Sequence, residues 1–317
     1  MNWIFDPNEA AWMENRLKNF WSRALAGIAP SGFPAYGRLL HPARADDGQP
    51  VRWSAVAQQN GTDLSPSSDF LHVALPEKSL SGRPVWTGHA PRIGTLESPL
   101  AERLTELLKA HTTTPSHVSF GLWDGLGWDR TMRVSPGHAS EPVPDPIPQD
   151  VRGGPRIRIP GRDYLYYSGP VEEALAWMPT QHQTPHLWWP KDRAWAVAGD
   201  ADLPWTIIAG SQDLIDQLAQ DPVLEVLAIA EDARLDSQPR WLDAWIAQAV
   251  QDLMASREAT VDTPLGSVSF RISGDGQWLE SGGGRTGLHT DHRRKSLEEQ
   301  LTSYVRGHII SGLRLYD

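Results

Sequence analysis

The sequence predicts an α+β fold, with a mixed or mainly antiparallel sheet, flanking helices and a C-terminal hairpin-and-helix appendage. Short alternating apolar segments, typical of half-buried strands, recur along the 317 residues. Amphipathic helical segments lie between them without the regular alternation that builds a parallel sheet. The apolar fraction of 40% and the charged fraction of 21% indicate a folded chain and exclude a disordered or fibrous one.

The N-terminal part is predicted to start with a long helix. Asp6 can cap it, Pro7 suits the first helical position, Glu9 completes a capping box, and one apolar stripe runs from Met13 to Ile28. Further helices are predicted at 53–59 and 98–108, and strands at 36–40, 70–75 and 118–122.

A proline-rich stretch at 136–155 is predicted to form no regular element, because proline lacks an amide donor and fixes φ. After it the patterns predict strands at 156–159, 164–167, 195–198, 206–209 and 224–229, and helices at 171–177 and 211–219. We therefore expect a main domain at 1–236. The remaining residues, 237–317, are predicted to form a helix, a hairpin, a basic glycine-rich loop and a terminal helix.

Charge and composition exclude several classes of function. The 29 Lys and Arg against 39 Asp and Glu give a net charge of −10, which argues against general nucleic-acid binding and against anionic membranes. The absence of cysteine excludes disulfides, thiolate catalysis and zinc-thiolate sites. The N-terminus lacks the pattern of a secretion signal, so the expected location is the cytoplasm. We expect no metal and no cofactor.

Two sequence patterns match known ligand-binding motifs only in part. Gly282–Gly287 satisfies the spacing of a dinucleotide-binding loop, but no strand with an acidic residue follows it, so a flexible loop is the preferred interpretation. The histidine pairs His182/His186 and His289/His292 lack the helical context of a zinc site.

The basic side chains near the C-terminus could grip an anion at the start of the last helix, although a solvated segment explains them as well. They are Arg285, Arg293, Arg294 and Lys295.

Carboxylates that could carry acid–base chemistry are Asp124, Asp192, Asp200 and Asp202. Asp200 and Asp202 lie in a predicted turn, where binding their own backbone is the simpler interpretation.

Tryptophan is unusually frequent, with 15 residues against six Phe and six Tyr. Trp188 and Trp189 precede Pro190, which prevents a helix, so their rings should point in different directions. An exposed ring beside Arg193 and Asp192 would suit recognition, whereas two buried rings with an ion pair between those two side chains would be structural. The binding residues predicted on this basis are Trp123, Trp128, Trp188, Trp189, Arg193 and Trp195.

The segments Phe120–Trp128, Tyr167–Pro170 and Leu187–Trp195, with Asp200 and Asp202, resemble the motifs of an actinobacterial protein family that has no assigned activity. The resemblance extends from about Tyr36 to Ile229 and implies one continuous unit across the proline-rich stretch. It brings no catalytic residues to carry over.

Two functions follow from these observations. The first is a non-enzymatic cytoplasmic binding protein, for example an immunity-like protein, that recognises a macromolecular partner through a Trp-rich surface. The expected partner is a protein. The alternative is a hydrolase or transferase that acts on a small polar substrate through the four aspartates in a Trp-lined pocket.

Overall fold

The chain combines helices with antiparallel sheets, which confirms the α+β prediction. The computed structural model describes residues 1–17, 24–74, 86–126, 132–133, 141–142, 147–159, 162–235, 240–263, 266–281, 284–288 and 296–312.

The strands are β1 (Asn2–Trp3), β2 (Ala35–Leu40), β3 (Ala43–Arg44), β4 (Pro50–Val51), β5 (Val118–Trp123), β6 (Met132–Arg133), β7 (Glu141–Pro142), β8 (Ile157–Ile159), β9 (Arg162–Gly169), β10 (Leu187–Pro190), β11 (Ala196–Gly199), β12 (Trp205–Gly210), β13 (Val226–Ile229), β14 (Glu258–Thr263), β15 (Gly266–Ile272), β16 (Trp278–Ser281) and β17 (Gly284–Gly287).

The α-helices are α1 (Ala11–Glu14), α2 (Trp53–Asn60), α3 (Phe70–Ala74), α4 (Ser98–Ala110), α5 (Gln149–Arg152), α6 (Met178–Gln181), α7 (Gln212–Gln220), α8 (Arg240–Ser256) and α9 (Leu297–Gly312). Short 3-10 helices lie at Pro7–Ala10, Leu25–Gly27, Asp124–Leu126 and Val171–Leu175. None of the described helices combines the length and hydropathy needed to cross a bilayer.

The chain forms two compact units, Met1–His41 with Arg92–Leu235, and Pro42–Pro91 with Asp236–Asp317. The division that the sequence predicts near residue 236 coincides with one of these boundaries. The second unit also takes in Pro42–Pro91, which the sequence assigns to the main domain.

The first unit is built on a nine-stranded sheet in the order β1-β9-β5-β10-β11-β12-β2-β13, with β8 paired to β9. Neighbouring strands are antiparallel. Its main core lies on the face that receives the buried leucines of α4 and α7. There Phe120 stacks on Tyr167, with ring centroids 5.0 Å apart, and meets Trp188 edge-on at 6.3 Å.

The second unit contains a four-stranded antiparallel sheet in the order β14-β15-β16-β17. Helix α8 packs against β14 and α9 against β15. The buried residues Val261, Phe270 and Leu279 alternate with exposed polar residues, so the sheet has one apolar and one polar face. The predicted hairpin is confirmed and is extended by β16 and β17.

The predicted first helix is wrong in extent. Asp6 does accept a hydrogen bond from the Asn8 amide (3.0 Å), but the α-helix ends at Glu14, and Ala24 has extended φ/ψ. The apolar stripe continued through the predicted helix, yet the extended Ala24 shows that periodicity alone does not keep a chain helical.

The predicted strand at 70–75 is also wrong, because Phe70–Ala74 is helix α3. The Asp69 carboxylate accepts a hydrogen bond from the Leu71 amide (2.9 Å), and the Asn60 side chain donates to the carbonyls of Val73 and Ala74. Side chains therefore bind backbone groups at both ends of this short helix. The apolar run of five residues does not itself contain these side chains, so its pattern alone could not predict the helix.

The stretch 136–155 does contain regular structure, which corrects the prediction. Glu141–Pro142 pairs with Met132–Arg133, and Gln149–Arg152 forms a short helix that starts directly after Pro148. Proline is tolerated at such edges and helix starts.

Candidate functional site

Most of the predicted tryptophan surface is buried. Trp188 and Trp195 are 0% exposed and Trp189 is 3% exposed. The Trp188 indole N–H donates to the Pro185 carbonyl (2.7 Å), and that of Trp195 donates to the Leu108 carbonyl (3.0 Å). These rings therefore offer no face to a partner.

Strand β10 explains this burial. It places Trp188 and Trp189 on opposite faces of the sheet, so the two rings diverge as predicted. Both faces are covered at this point, and both rings are therefore buried. Pro190 is accommodated at the end of the strand. Trp128 lies outside the described residues.

A cluster of aromatic rings lies on the face of the sheet that carries Trp189. Trp189 stacks on Tyr166 (centroids 5.8 Å apart), and Trp12 of α1 contacts Trp189 edge-on at 6.0 Å. Phe33 approaches Trp12 at 6.5 Å. Burial, reinforced by Glu9, raises the pKa of Tyr166 to about 12, so its hydroxyl stays neutral. The half-buried Trp12 is therefore held in place from beneath by rings of the sheet.

Two exposed arginines lie over Trp12. The guanidinium carbon of Arg193 is 5.0 Å from the Trp12 ring, and that of Arg16 is 5.5 Å from it and 5.9 Å from Phe33. Neither guanidinium forms an ion pair with any described residue. We call Trp12, Arg16, Phe33 and Arg193 the aromatic–arginine surface.

The turn that carries Arg193 is held by its neighbour Asp192. The Asp192 carboxylate accepts hydrogen bonds from the Thr112 hydroxyl and from the Thr113 amide and hydroxyl, all at 2.7 to 2.9 Å. It also accepts from the Ala194 amide (3.1 Å). The anticipated Asp192–Arg193 ion pair does not form. The Asp192 carboxylate therefore holds this turn in place.

A second polar region lies at one end of the sheet, where β5 ends and β9 begins. Arg162 donates to both oxygens of Asp200 (2.8 and 2.7 Å) and to Asp202 (2.7 Å), while its guanidinium lies 4.5 Å from the Trp123 ring. Burial disfavours the charged form, but both carboxylates outweigh it and raise the pKa of Arg162. The Asp202 amide donates to Asp200 (3.0 Å), which confirms the predicted self-bonded turn.

The remaining predicted carboxylate, Asp124, lies at the same end. Its Oδ2 accepts from Nε of Arg156 at 2.9 Å. Next to it is an open depression of about 450 Å³ lined by Trp123, Asp124, Gly125, Arg162 and Asp163. We call it the sheet-end depression. Three of the four aspartates predicted for catalysis therefore lie near one another, each hydrogen-bonded to an arginine.

Two buried histidines line a small cavity of about 10 Å³ beneath this end of the sheet. His41 donates from Nδ1 to the Arg92 carbonyl (2.8 Å), and its Nε2 accepts from the Thr206 hydroxyl (3.0 Å). His186 accepts on Nδ1 from the Trp123 amide (3.3 Å), so its proton is on Nε2. Burial lowers the pKa of each to about 4. Both rings are neutral at neutral pH.

The described residues contain no group of three or more side chains suited to hold a metal ion. Of the basic residues predicted to bind an anion, Arg285 lies in β17 and its side chain is not described, while Arg293, Arg294 and Lys295 lie outside the described residues.

Sequence reasoning missed Trp12, Arg16 and Arg162. The spacing of Trp12 and Arg16, four residues apart, was the available signal, because such residues share one face of a helical turn. No sequence signal links Arg162 to Asp200, since a pairing across 38 residues depends on strand register.

Comparisons of this chain with models of protein families, with curated proteins and with solved structures give no match. The resemblance to the actinobacterial family therefore stays a prediction.

Proposed function

We propose that this protein is a non-enzymatic binding protein that recognises an acidic segment of a protein partner through the aromatic–arginine surface. The observation that carries the proposal is the pair of exposed guanidiniums, those of Arg16 and Arg193, over one braced indole and without a carboxylate partner among the described residues. An arginine fork matches the geometry of a carboxylate, and arginine and tryptophan are the side chains enriched in binding hot spots.

The backbone of Arg193 supports the same proposal. Its φ of +54° lies in the left-handed region, which costs a residue other than glycine or asparagine about 1 kcal/mol or more. The Arg193 amide still donates to the Pro190 carbonyl (2.9 Å), and Asp192 closes the turn. Stability alone would favour glycine or asparagine here, and the exposed guanidinium is what arginine adds at this position.

The net charge of −10 does not oppose an acidic partner at close range. At physiological ionic strength the Debye length is about 8 Å, so the charges in direct contact with the bound segment dominate. Binding should therefore weaken as the salt concentration rises.

The test uses a fluorescein-labelled octapeptide of glutamate, with a lysine octapeptide as the charge control, and measures fluorescence anisotropy. We compare the wild-type protein with Arg193→Asn, Arg16→Ala and the control Arg158→Ala, which removes an exposed arginine of β8. Hydrogen bonds to charged groups contribute about 1.5–3 kcal/mol, so each of the first two changes should weaken glutamate-peptide binding at least about tenfold.

Urea unfolding separates binding from stability. Asparagine tolerates the left-handed turn, so Arg193→Asn should leave the free energy of unfolding within about 1 kcal/mol of the wild-type value. If the glutamate peptide does not bind, or binds equally to Arg193→Asn and Arg158→Ala, the proposal is wrong.

A further inference from the structure

The sheet-end depression offers ligand chemistry that the proposed function does not use. We propose that it binds a small neutral polyhydroxylated ligand, of the size of a monosaccharide or disaccharide. The depression is open to solvent, and its volume of about 450 Å³ leaves room for a ligand of this size. The ligand class follows from the donors and acceptors of its walls.

Arg162 supplies a rigid donor. A guanidinium has five N–H groups, and the three on Nε and Nη2 are taken by Asp200 and Asp202. Nη1 keeps two N–H groups without a partner among the described residues. The two carboxylates and the Trp123 ring fix the plane of the guanidinium, so little side-chain entropy is lost when a ligand accepts from Nη1.

Asp124 and Asp163 supply acceptors. Asp124 uses Oδ2 for Arg156 and leaves Oδ1 without a hydrogen bond to a described residue. The side chain of Asp163 is 54% exposed, and its one ion pair among the described residues is with Arg158 at 4.0 Å, beyond hydrogen-bond distance. The walls thus hold acceptors that a ligand donor can reach.

The charges select among polar ligands. Two carboxylates and one guanidinium line the depression, so Asp124 and Asp163 repel an anion, while Arg162 opposes the attraction of an ammonium group to these carboxylates. A hydroxyl group can accept from the guanidinium and donate to a carboxylate at once. Neighbouring hydroxyl groups on one sugar ring can therefore hydrogen-bond to Arg162 and to the carboxylates while the ligand stays uncharged.

Gly125 keeps the Trp123 ring in the wall. A Cβ at Gly125 would lie 2.2 Å from that ring, so only glycine lets the chain pass directly against it. The half-exposed indole adds apolar surface to this wall.

The experiment measures saturation-transfer NMR and titration calorimetry with the methyl pyranosides of glucose, galactose, mannose and N-acetylglucosamine. Inorganic phosphate and ethanolamine serve as the anion and cation probes. The variants are Arg162→Lys, the exposed Asp163→Asn, and the control Asp213→Asn, whose side chain on α7 is 91% exposed.

At least one pyranoside should bind, with affinity reduced about tenfold or more by Asp163→Asn and by Arg162→Lys, and unchanged by Asp213→Asn. Arg162→Lys also removes the paired hydrogen bonds to Asp200. If this variant unfolds, the affinity of Asp163→Asn decides the outcome. The proposal fails if no pyranoside binds, if Asp163→Asn binds as well as the control, or if phosphate or ethanolamine binds more tightly than every pyranoside.

Discussion

Two buried neutral histidines should make the protein sensitive to mild acid. The pKa of His41 and that of His186 fall from the ordinary 6.5 to about 4, chiefly through burial. The unfolded chain therefore binds more protons than the folded one between pH 4 and 6.5, and stability is lost as the pH falls through this window. From pH 7.5 to 5.0 each histidine costs about 2 kcal/mol, or about 4 kcal/mol together.

The assay is urea unfolding, followed by circular dichroism, at pH 7.5 and 5.0. Carboxylates with a lowered pKa, such as Asp192 and Asp221, lose their contribution mainly below this range, so the difference reports on histidine. His186→Asn keeps an acceptor for the Trp123 amide, and His41→Gln keeps a donor and an acceptor. Each variant should lose about 2 kcal/mol less than the wild type.

The reasoning is refuted if the wild-type protein loses less than about 1 kcal/mol between the two pH values, or if the variants lose as much as the wild type. Proton–nitrogen NMR of the imidazoles provides a second readout that does not depend on the variants. It should show the proton of His41 on Nδ1 and that of His186 on Nε2 at pH 7.

Three further changes test the packing. Trp195→Phe removes the indole donor to the Leu108 carbonyl and leaves a cavity, so thermal unfolding should show a loss of about 2–4 kcal/mol. Gly37→Ala places a Cβ 2.8 Å from Val226 and should lower the free energy of unfolding in urea by about 1–3 kcal/mol. The double variant Gly37→Ala/Val226→Ala should lose less free energy of unfolding than the two single variants lose in sum. Asp192→Ala removes the acceptor of the 112–113 loop and should cost about 1 kcal/mol, with faster amide hydrogen exchange in that loop as the confirming observation.

Local patterns predicted many elements of the fold. The strand predicted at 36–40 lies within β2, Ser211 caps α7 through the Leu214 amide (3.2 Å), and Gly61 ends α2 at a φ of +65°. These signals involve residues within a few positions of one another, so the sequence contains them directly.

The sequence left strand β10 unassigned, because Pro190 excludes a helix but is compatible with either an extended or a turn backbone. Its four residues pair with β5 on one side and β11 on the other, and this double pairing makes the segment central. The burial of Trp188 depends on that placement, so no local pattern could distinguish a buried ring from an exposed one.

The candidate surfaces were predictable only in part. Arg193 was singled out from the sequence and is exposed, as a recognition residue must be. Its aromatic partner is Trp12, 181 positions earlier in the chain, and the predicted neighbours Trp189 and Asp192 act as supports from beneath and beside it.

The sequence by itself determined the α+β class, the absence of cysteine chemistry, the acidic charge and the capped start of α7, because each depends on composition or on residues close in the chain. The tertiary structure alone decided which indoles are covered, which arginines lack an ion pair with a described residue, and which aspartates bind Arg162. Those outcomes depend on strand order and register, which bring together residues far apart in the sequence. No local sequence pattern encodes such contacts.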